Sequence, residues 1–332
     1  RQFLNRTVSR IFEINEHEHR LTSYTGNYDV YSAAKVAERK QWEQDYEHQQ
    51  EELAELRKYV RVTGKAQHVQ RASNDKDGYH RYGYSFQSKQ NAVASHIRSA
   101  QTQLAGIEAD LIPQPPKLLS ISTHFSTEPA QANAVMLTIA HLTKNRGERC
   151  LFNDLNLTVS ADSRILLIGP NGAGKTTLLK LILGLEKPTD GAVQVSAEAR
   201  IGYLPQEPIF LDVHKTVIET YRYGHEGYDE DFIAQLLNYG LFRQEDITKQ
   251  VGQLSVGQQR KLEIACLMAA NPNLLLLDEP TNYISLDVLE AFESAIRAFP
   301  GPVIVTSHDR WFIQRFKGEV WEIAAGQLVR SS

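Results

Sequence analysis

The sequence has 332 residues, which points to about two domains, and its 36 lysines and arginines against 40 aspartates and glutamates give a net charge of −4. That balance excludes a uniformly basic nucleic-acid coat, while 42% hydrophobic and 23% charged residues describe a chain with ample material for a core. Its 2 cysteines, Cys150 and Cys266, exclude a disulfide framework and a cysteine-rich zinc site, and a reducing, cytoplasmic setting is expected.

The opening segment RQFLNRTVSRIFEI matches a later one, RWFIQRFKGEVWEI, shifted by 309 positions. Arg1, Phe3, Arg6, Glu13 and Ile14 face Arg310, Phe312, Arg315, Glu322 and Ile323. Residues 1–28 are therefore expected to be the tail of an earlier copy of whatever residues 135–332 form. His17 and His19 form an HxH without nearby third and fourth ligands, a pattern of surface residues.

Residues 29–112 read differently. Trp42, Tyr46, Gln49, Leu53, Leu56 and Val60 advance in steps of three and four, as do Phe86, Gln90, Val93, Ile97, Ala100, Leu104, Ile107 and Leu111. A spacing near 3.5 predicts two helices joined along apolar seams as an antiparallel hairpin. Gly64, Gly78 and Gly83 are expected in the connection, and Pro113, Pro115 and Pro116 to end the second helix. Between Lys35 and Leu56 there are three basic and seven acidic residues; between Arg57 and Arg98, nine basic and two acidic, interleaved with Tyr59, Tyr79, Tyr82, Tyr84 and Phe86. A basic, aromatic tip of this kind suits phosphates and unpaired bases. Residues 113–134 form a connector.

The chemistry lies further on. Ile165–Ile168 is an apolar strand feeding Gly169, Pro170, Asn171, Gly172, Ala173, Gly174, Lys175, Thr176 and Thr177, then a leucine-rich helix. Such a strand–loop–helix cradles phosphates with backbone N–H groups, with Lys175 reaching the β- and γ-phosphates and Thr176 ligating Mg²⁺. Leu274–Leu277 is a second apolar strand ending in Asp278, placed to hold Mg²⁺, and Glu279, placed to act as general base. Gln206 follows another strand end, where its amide can sense the metal or the attacking water. His308 follows Val303–Val305 and is placed to touch a γ-phosphate. Ser255, Gly257 and Gln258 open a helix and can present hydroxyl and N–H groups to phosphate. Cys266 is expected in the core, Cys150 is without a cysteine partner, and Tyr221, Tyr223 and Tyr228 are assigned to packing or surface. The longest apolar run is strand-sized, far short of a membrane span.

In these motifs the sequence resembles the ATP-binding cassette family. GPNGAGKT resembles its Walker A motif, Gln206 the Q-loop, LSVGQQ the signature, LLLLDE Walker B, Asp287 the D-loop and His308 the switch histidine. The resemblance implies an α/β P-loop fold with a parallel-sheet core, an antiparallel β-subdomain, and a helical subdomain near residues 215–270. It implies ATP and Mg²⁺ as ligands and an ATP-hydrolase activity. The order of tail, charged hairpin and cassette is similar to the ABC-F group, tandem-cassette ATPases of translation that include ribosome-protecting resistance factors. That likeness implies a first cassette as partner, and ribosome, rRNA and tRNA contact through residues 57–98. The alternatives are the ATPase subunit of a membrane transporter and a non-catalytic nucleic-acid clamp. The sequence departs from the family at Val256, usually glycine; in TNYISLD, two residues longer than the common TNHLD; and at Arg146, where an aromatic usually stacks on adenine.

Overall fold

The computed structural model describes residues 2–14, 21–72, 83–115 and 134–331. The chain divides into two compact units, residues 1–116 and 117–332.

The first unit opens with α1 (Gln2–Thr7), β1 (Arg10–Ile14) and β2 (Leu21–Thr25), the two strands pairing antiparallel with Ile11 opposite Tyr24. His17 and His19 lie outside the described residues. Helix α2 (Tyr28–Ala72) then runs for 45 residues, roughly 65–70 Å at 1.5 Å per residue, and α3 (Gly83–Ala109) returns beside it. The pairing is antiparallel, as the heptad spacing predicts. Trp42 Nε1 donates to the Pro113 carbonyl at 2.9 Å. The Gln49 amide donates to the Asp110 carbonyl at 2.9 Å and accepts from the Ile112 N–H at 2.8 Å. Arg57 pairs with Glu108 at 2.8 Å. Leu53 and Ala100, both seam positions, are buried.

One expectation fails: Gly64 is not in the connection but inside α2. A single glycine costs a helix about 1 kcal/mol, which many turns of flanking helix absorb. Gly83 instead begins α3. The basic and aromatic positions from 73 to 82, with Gly78, lie outside the described residues.

The second unit layers two sheets. In chain order it comprises β3 (Val135–Arg146), β4 (Arg149–Ser160), β5 (Arg164–Ile168), α4 (Lys175–Ile182), β6 (Asp190–Val195) and β7 (Ile201–Leu204). Helices α5 (Val217–Tyr221), α6 (Asp229–Asn238) and α7 (Val256–Ala269) follow, filling the span expected to be helical. The chain closes with β8 (Leu274–Asp278), α8 (Leu286–Ala298), β9 (Val303–Thr306), α9 (Arg310–Arg315), β10 (Glu319–Ala324) and β11 (Gln327–Ser331). Strands β4, β3 and β6 make an antiparallel sheet in that order. The second sheet runs β11-β10-β5-β9-β8-β7, parallel except for β11.

The residue patterns account for these layers. β8 is all leucine before Asp278 and is buried at every position, as a central parallel strand covered on both faces must be. Phe152, Leu155, Leu157 and Val159 of β4 pack with Leu178 and Leu179 of α4 to fill the space between the sheets. Leu262 of α7, Phe292 of α8 and Tyr221 of α5 belong to the other core cluster. Among the described residues no helix is long and apolar enough to cross a membrane.

The matched segments of the sequence adopt matched structure. Residues 2–7 and 310–315 are helices, and 10–14 and 319–324 are strands that begin hairpins. In the second copy β10 pairs parallel with β5, and Ile323 is 2% exposed; its counterpart Ile14 is 72% exposed.

Candidate active site

Strands β5, β9, β8 and β7 are neighbours and parallel, so their C-terminal ends open along one edge of the sheet, where ligands of α/β proteins bind. Each ends in a segment singled out by sequence: Gly169–Thr177 after β5, His308 after β9, Asp278 and Glu279 at β8, Gln206 after β7.

The turn after β5 depends on glycine. Gly174, the N-cap of α4, has φ 109°, and a Cβ there would meet Phe152 Cζ at 2.7 Å. Both the backbone and the neighbour therefore demand glycine. Pro170 and Ala173 close the turn by a 3.1 Å backbone hydrogen bond, and Asn171 and Gly172 stand exposed at its crest. Lys175 is 8% exposed and Thr177 7%, while Thr176 is half-buried. The Lys175 ammonium donates to the Gly169 carbonyl at 2.9 Å and the Pro170 carbonyl at 3.3 Å, and lies 2.9 Å from His308 Nε2. Burial pushes the Lys175 pKa below the usual lysine range; the nearby Glu279 and Asp278 charges oppose that shift.

The acidic pair is buried, Asp278 at 1% and Glu279 at 7% exposure. Thr306 Oγ1 donates to Asp278 Oδ1 at 2.6 Å, and the same oxygen accepts from the Glu279 N–H at 3.0 Å. Glu279 itself sits at φ 48°, a left-handed conformation costly for a side-chain-bearing residue and often found where chemistry occurs. Its Oε2 accepts from the His308 N–H at 3.1 Å, and its Oε1 lies 3.5 Å from His308 Nε2. Asp278 Oδ2 and Glu279 Oε1 have no hydrogen-bond partner among the described residues. Such buried carboxylate oxygens are expensive unless something answers their charge. With the Lys175 ammonium near them, these oxygens fit a site for a divalent cation and a polyphosphate.

The structure thus joins Lys175, Asp278, Glu279 and His308. Gln206 is exposed just beyond β7. The segment Ser255-Val256-Gly257-Gln258 opens α7. Ser255 caps α7 and accepts from the Gln258 N–H at 3.3 Å, while the Gln258 side chain accepts from the Ser255 N–H at 3.0 Å. Each side chain thus accepts from the other residue's backbone N–H, a reciprocal cap of the helix. Val256 is exposed, and a Cβ on Gly257 would stand 3.5 Å from the Tyr283 carbonyl. Asp287 lies in the first turn of α8. Arg146 is exposed at the β3–β4 tip, opposite Arg149.

Two contributors escaped the sequence reading. Thr306 orients the Asp278 carboxylate and holds the Glu279 backbone N–H, and its only signal was standing two places before His308. Arg149 Nη2 donates to the Gly172 carbonyl at 3.2 Å, bringing a guanidinium to the turn. Of the peripheral expectations, Tyr221 is buried and bonded to Tyr239 at 3.0 Å, whereas Tyr223 and Tyr228 are exposed. Cys266 packs against the core, and Cys150 is exposed.

Comparison with known proteins agrees with this arrangement. Residues 152–282 match the ABC transporter family, and residues 14–82 match a second model of the same description. The chain is 31% identical over 333 residues to the tylosin resistance ATP-binding protein TlrC of Streptomyces fradiae, covering 98% of this chain and 58% of that one. It is 29% identical to the ribosome protection protein VmlR of Bacillus subtilis, covering 95% of this chain and 56% of that one. The chain spans about half the length of the curated relatives it matches. A solved ATP-binding cassette dimer bound to ADP and Pi shares the fold, with TM-score 0.51 and 22% identity over 59% of this chain and 98% of that one. The sheet order, the phosphate-type turn with its paired carboxylates, and the match of residues 152–282 to the ABC transporter family agree: this part of the chain has the fold and motifs of an ATP-binding cassette.

Proposed function

We propose that this chain supplies one half-site for ATP hydrolysis in a two-cassette ATPase that works on the ribosome. The observation that carries the reading is the cluster in which Lys175, His308, Glu279 and Asp278 meet at the C-terminal ends of adjacent parallel strands. The N–H groups from Gly169 to Thr177, with Lys175, would cradle the triphosphate. Thr176, Gln206 and Asp278 would hold Mg²⁺, whose charge neutralises the phosphates. Glu279 accepts a proton from water as that water attacks the γ-phosphorus, His308 steadies the γ-phosphate, and ADP and inorganic phosphate leave.

Ser255, Gly257 and Gln258 serve a second composite site. The helix–hairpin of residues 2–25, whose like in the second unit completes a sheet edge, supports a partner cassette. On this reading residues 1–28 close a first cassette, 29–112 form the interdomain hairpin, 113–134 connect, and 135–332 are the second cassette. The ribosome is proposed from the printed name of VmlR and from the basic, aromatic sequence between Arg57 and Arg98, which suits rRNA or tRNA.

The test uses full-length protein carrying Glu279→Gln, which retains nucleotide while turnover stalls. With ATP and Mg²⁺ it should co-sediment with ribosomes, and photo-crosslinkers placed between residues 57 and 98 should label RNA. Failure to bind nucleotide overturns the ATPase reading. Nucleotide binding without ribosome association, or co-purification with a membrane protein instead, overturns the ribosomal one.

A further inference from the structure

Arg260 is fully buried on α7, five residues beyond Ser255. Its Nη1 donates to the Pro205 carbonyl at 2.5 Å and to Glu263 Oε2 at 3.0 Å, and its Nη2 reaches the Glu279 carbonyl at 3.5 Å. Glu263, one turn further along the helix, uses its other oxygen to accept from the Ile209 N–H at 2.9 Å. The pair therefore grips residues 205–209 at both ends and touches the peptide that follows Glu279. Pro205 and Gln206 share a peptide plane, so fixing the Pro205 carbonyl fixes the start of Gln206. Glu279 holds a left-handed backbone that nearby contacts must maintain.

A buried ion pair is a poor source of stability, because desolvating both charges consumes most of their attraction. Burial indeed lowers the Arg260 pKa and raises that of Glu263, with each partner opposing the other's shift. An apolar pair would pack this helix as well. What it could not do is donate to two carbonyls, on two separate segments of the site, from one rigid plane.

We propose that Arg260, held by Glu263, is a positioning residue that sets Gln206 and Glu279 relative to the signature helix α7. It rests on the ATPase reading and adds a member to that site. Because α7 also carries Ser255 at its N-terminus, one rigid helix would link the elements serving this half-site with those serving the opposite one.

The experiment compares full-length wild type with Arg260→Met/Glu263→Gln, in which the glutamine oxygen still accepts from Ile209 and no uncompensated charge is buried. Melting temperature, nucleotide affinity, KM and kcat are measured for both. We expect a folded variant that melts close to wild type and binds nucleotide within about twofold, with kcat reduced by about tenfold or more, as small misplacements of reacting groups produce. Arg260→Lys, which keeps the charge but not the planar fork, should also lose kcat, and provides the same reading if the double variant does not fold. An active wild type whose Arg260 variants keep kcat within about twofold overturns the inference alone; a wild type that hydrolyses no ATP overturns it together with the ATPase reading.

Discussion

Lys175 Nζ stands 2.9 Å from His308 Nε2, although these residues are 133 positions apart, one opening α4 and the other following β9. An ammonium has only donors, so Nε2 accepts and the ring proton sits on Nδ1. Glu279 Oε1, 3.5 Å from the same nitrogen, then faces a lone pair rather than an N–H.

In nucleotide-free protein His308 should therefore appear as the neutral Nδ1–H tautomer. Long-range ¹H–¹⁵N correlation spectra identify this state by the chemical shifts of the two ring nitrogens. In Lys175→Met the ring is released to donate from Nε2 toward Glu279, and the tautomer should change. An Nε2–H ring in the unmodified protein would show that the lysine does not govern it.

Thr306 is 0% exposed and serves both carboxylate residues with one hydroxyl. Thr306→Val preserves shape while leaving Asp278 Oδ1 without that donor, an unmet buried group worth about 1–3 kcal/mol. Stability to denaturant should fall by about that amount, and Mg²⁺-dependent nucleotide binding should weaken. Thr306→Ser should restore both. A valine variant as stable and as avid as wild type would remove Thr306 from the site's support.

Gly174→Ala meets two obstacles that can be separated. One is the φ of 109°, the other the 2.7 Å approach to Phe152. The variant should lose nucleotide binding by at least about tenfold, through strain of about 1–3 kcal/mol. Adding Phe152→Leu relieves the clash but not the backbone, so recovery should be partial. Full recovery would assign the whole effect to the ring, and no loss in the single variant would show that the turn tolerates a side chain.

How much of this was legible in the sequence follows from how local each signal is. The turn from Gly169 to Thr177, the β8 leucines and the strand-end acids are written in consecutive residues, and the structure places them as read. The α2 and α3 seams were equally legible because a period near 3.5 survives every surface substitution. Gly64 misled because propensity is a small local cost that a long packed helix overrides. Thr306, Arg149 and Arg260 carry no local signature: each matters only through a partner distant in sequence, such as Gly172 for Arg149 and Pro205 for Arg260. The same holds for the strained backbone of Glu279, which its residue type gave no reason to expect.

The two cysteines should separate cleanly by chemistry. Cys150 is exposed. Cys266 packs against the α-helical core, and burial, reinforced by Glu263, pushes its thiol up to about 12. The thiolate is the reactive form, so an alkylating reagent at pH 8 should modify Cys150 and leave Cys266 until the protein unfolds. The same shift has a stability consequence. Unfolded, the thiol titrates near its ordinary value of about 8.5, so from there to about 12 the unfolded state has released a proton that the folded state still holds. Folded-state stability from this group is complete below about pH 8.5 and declines by up to about 1.4 kcal/mol per pH unit above it. Cys266→Ala should flatten that part of the alkaline stability curve. Equal labelling of both cysteines in the folded protein, or an alkaline curve of Cys266→Ala identical to wild type, would place the Cys266 sulfur in water.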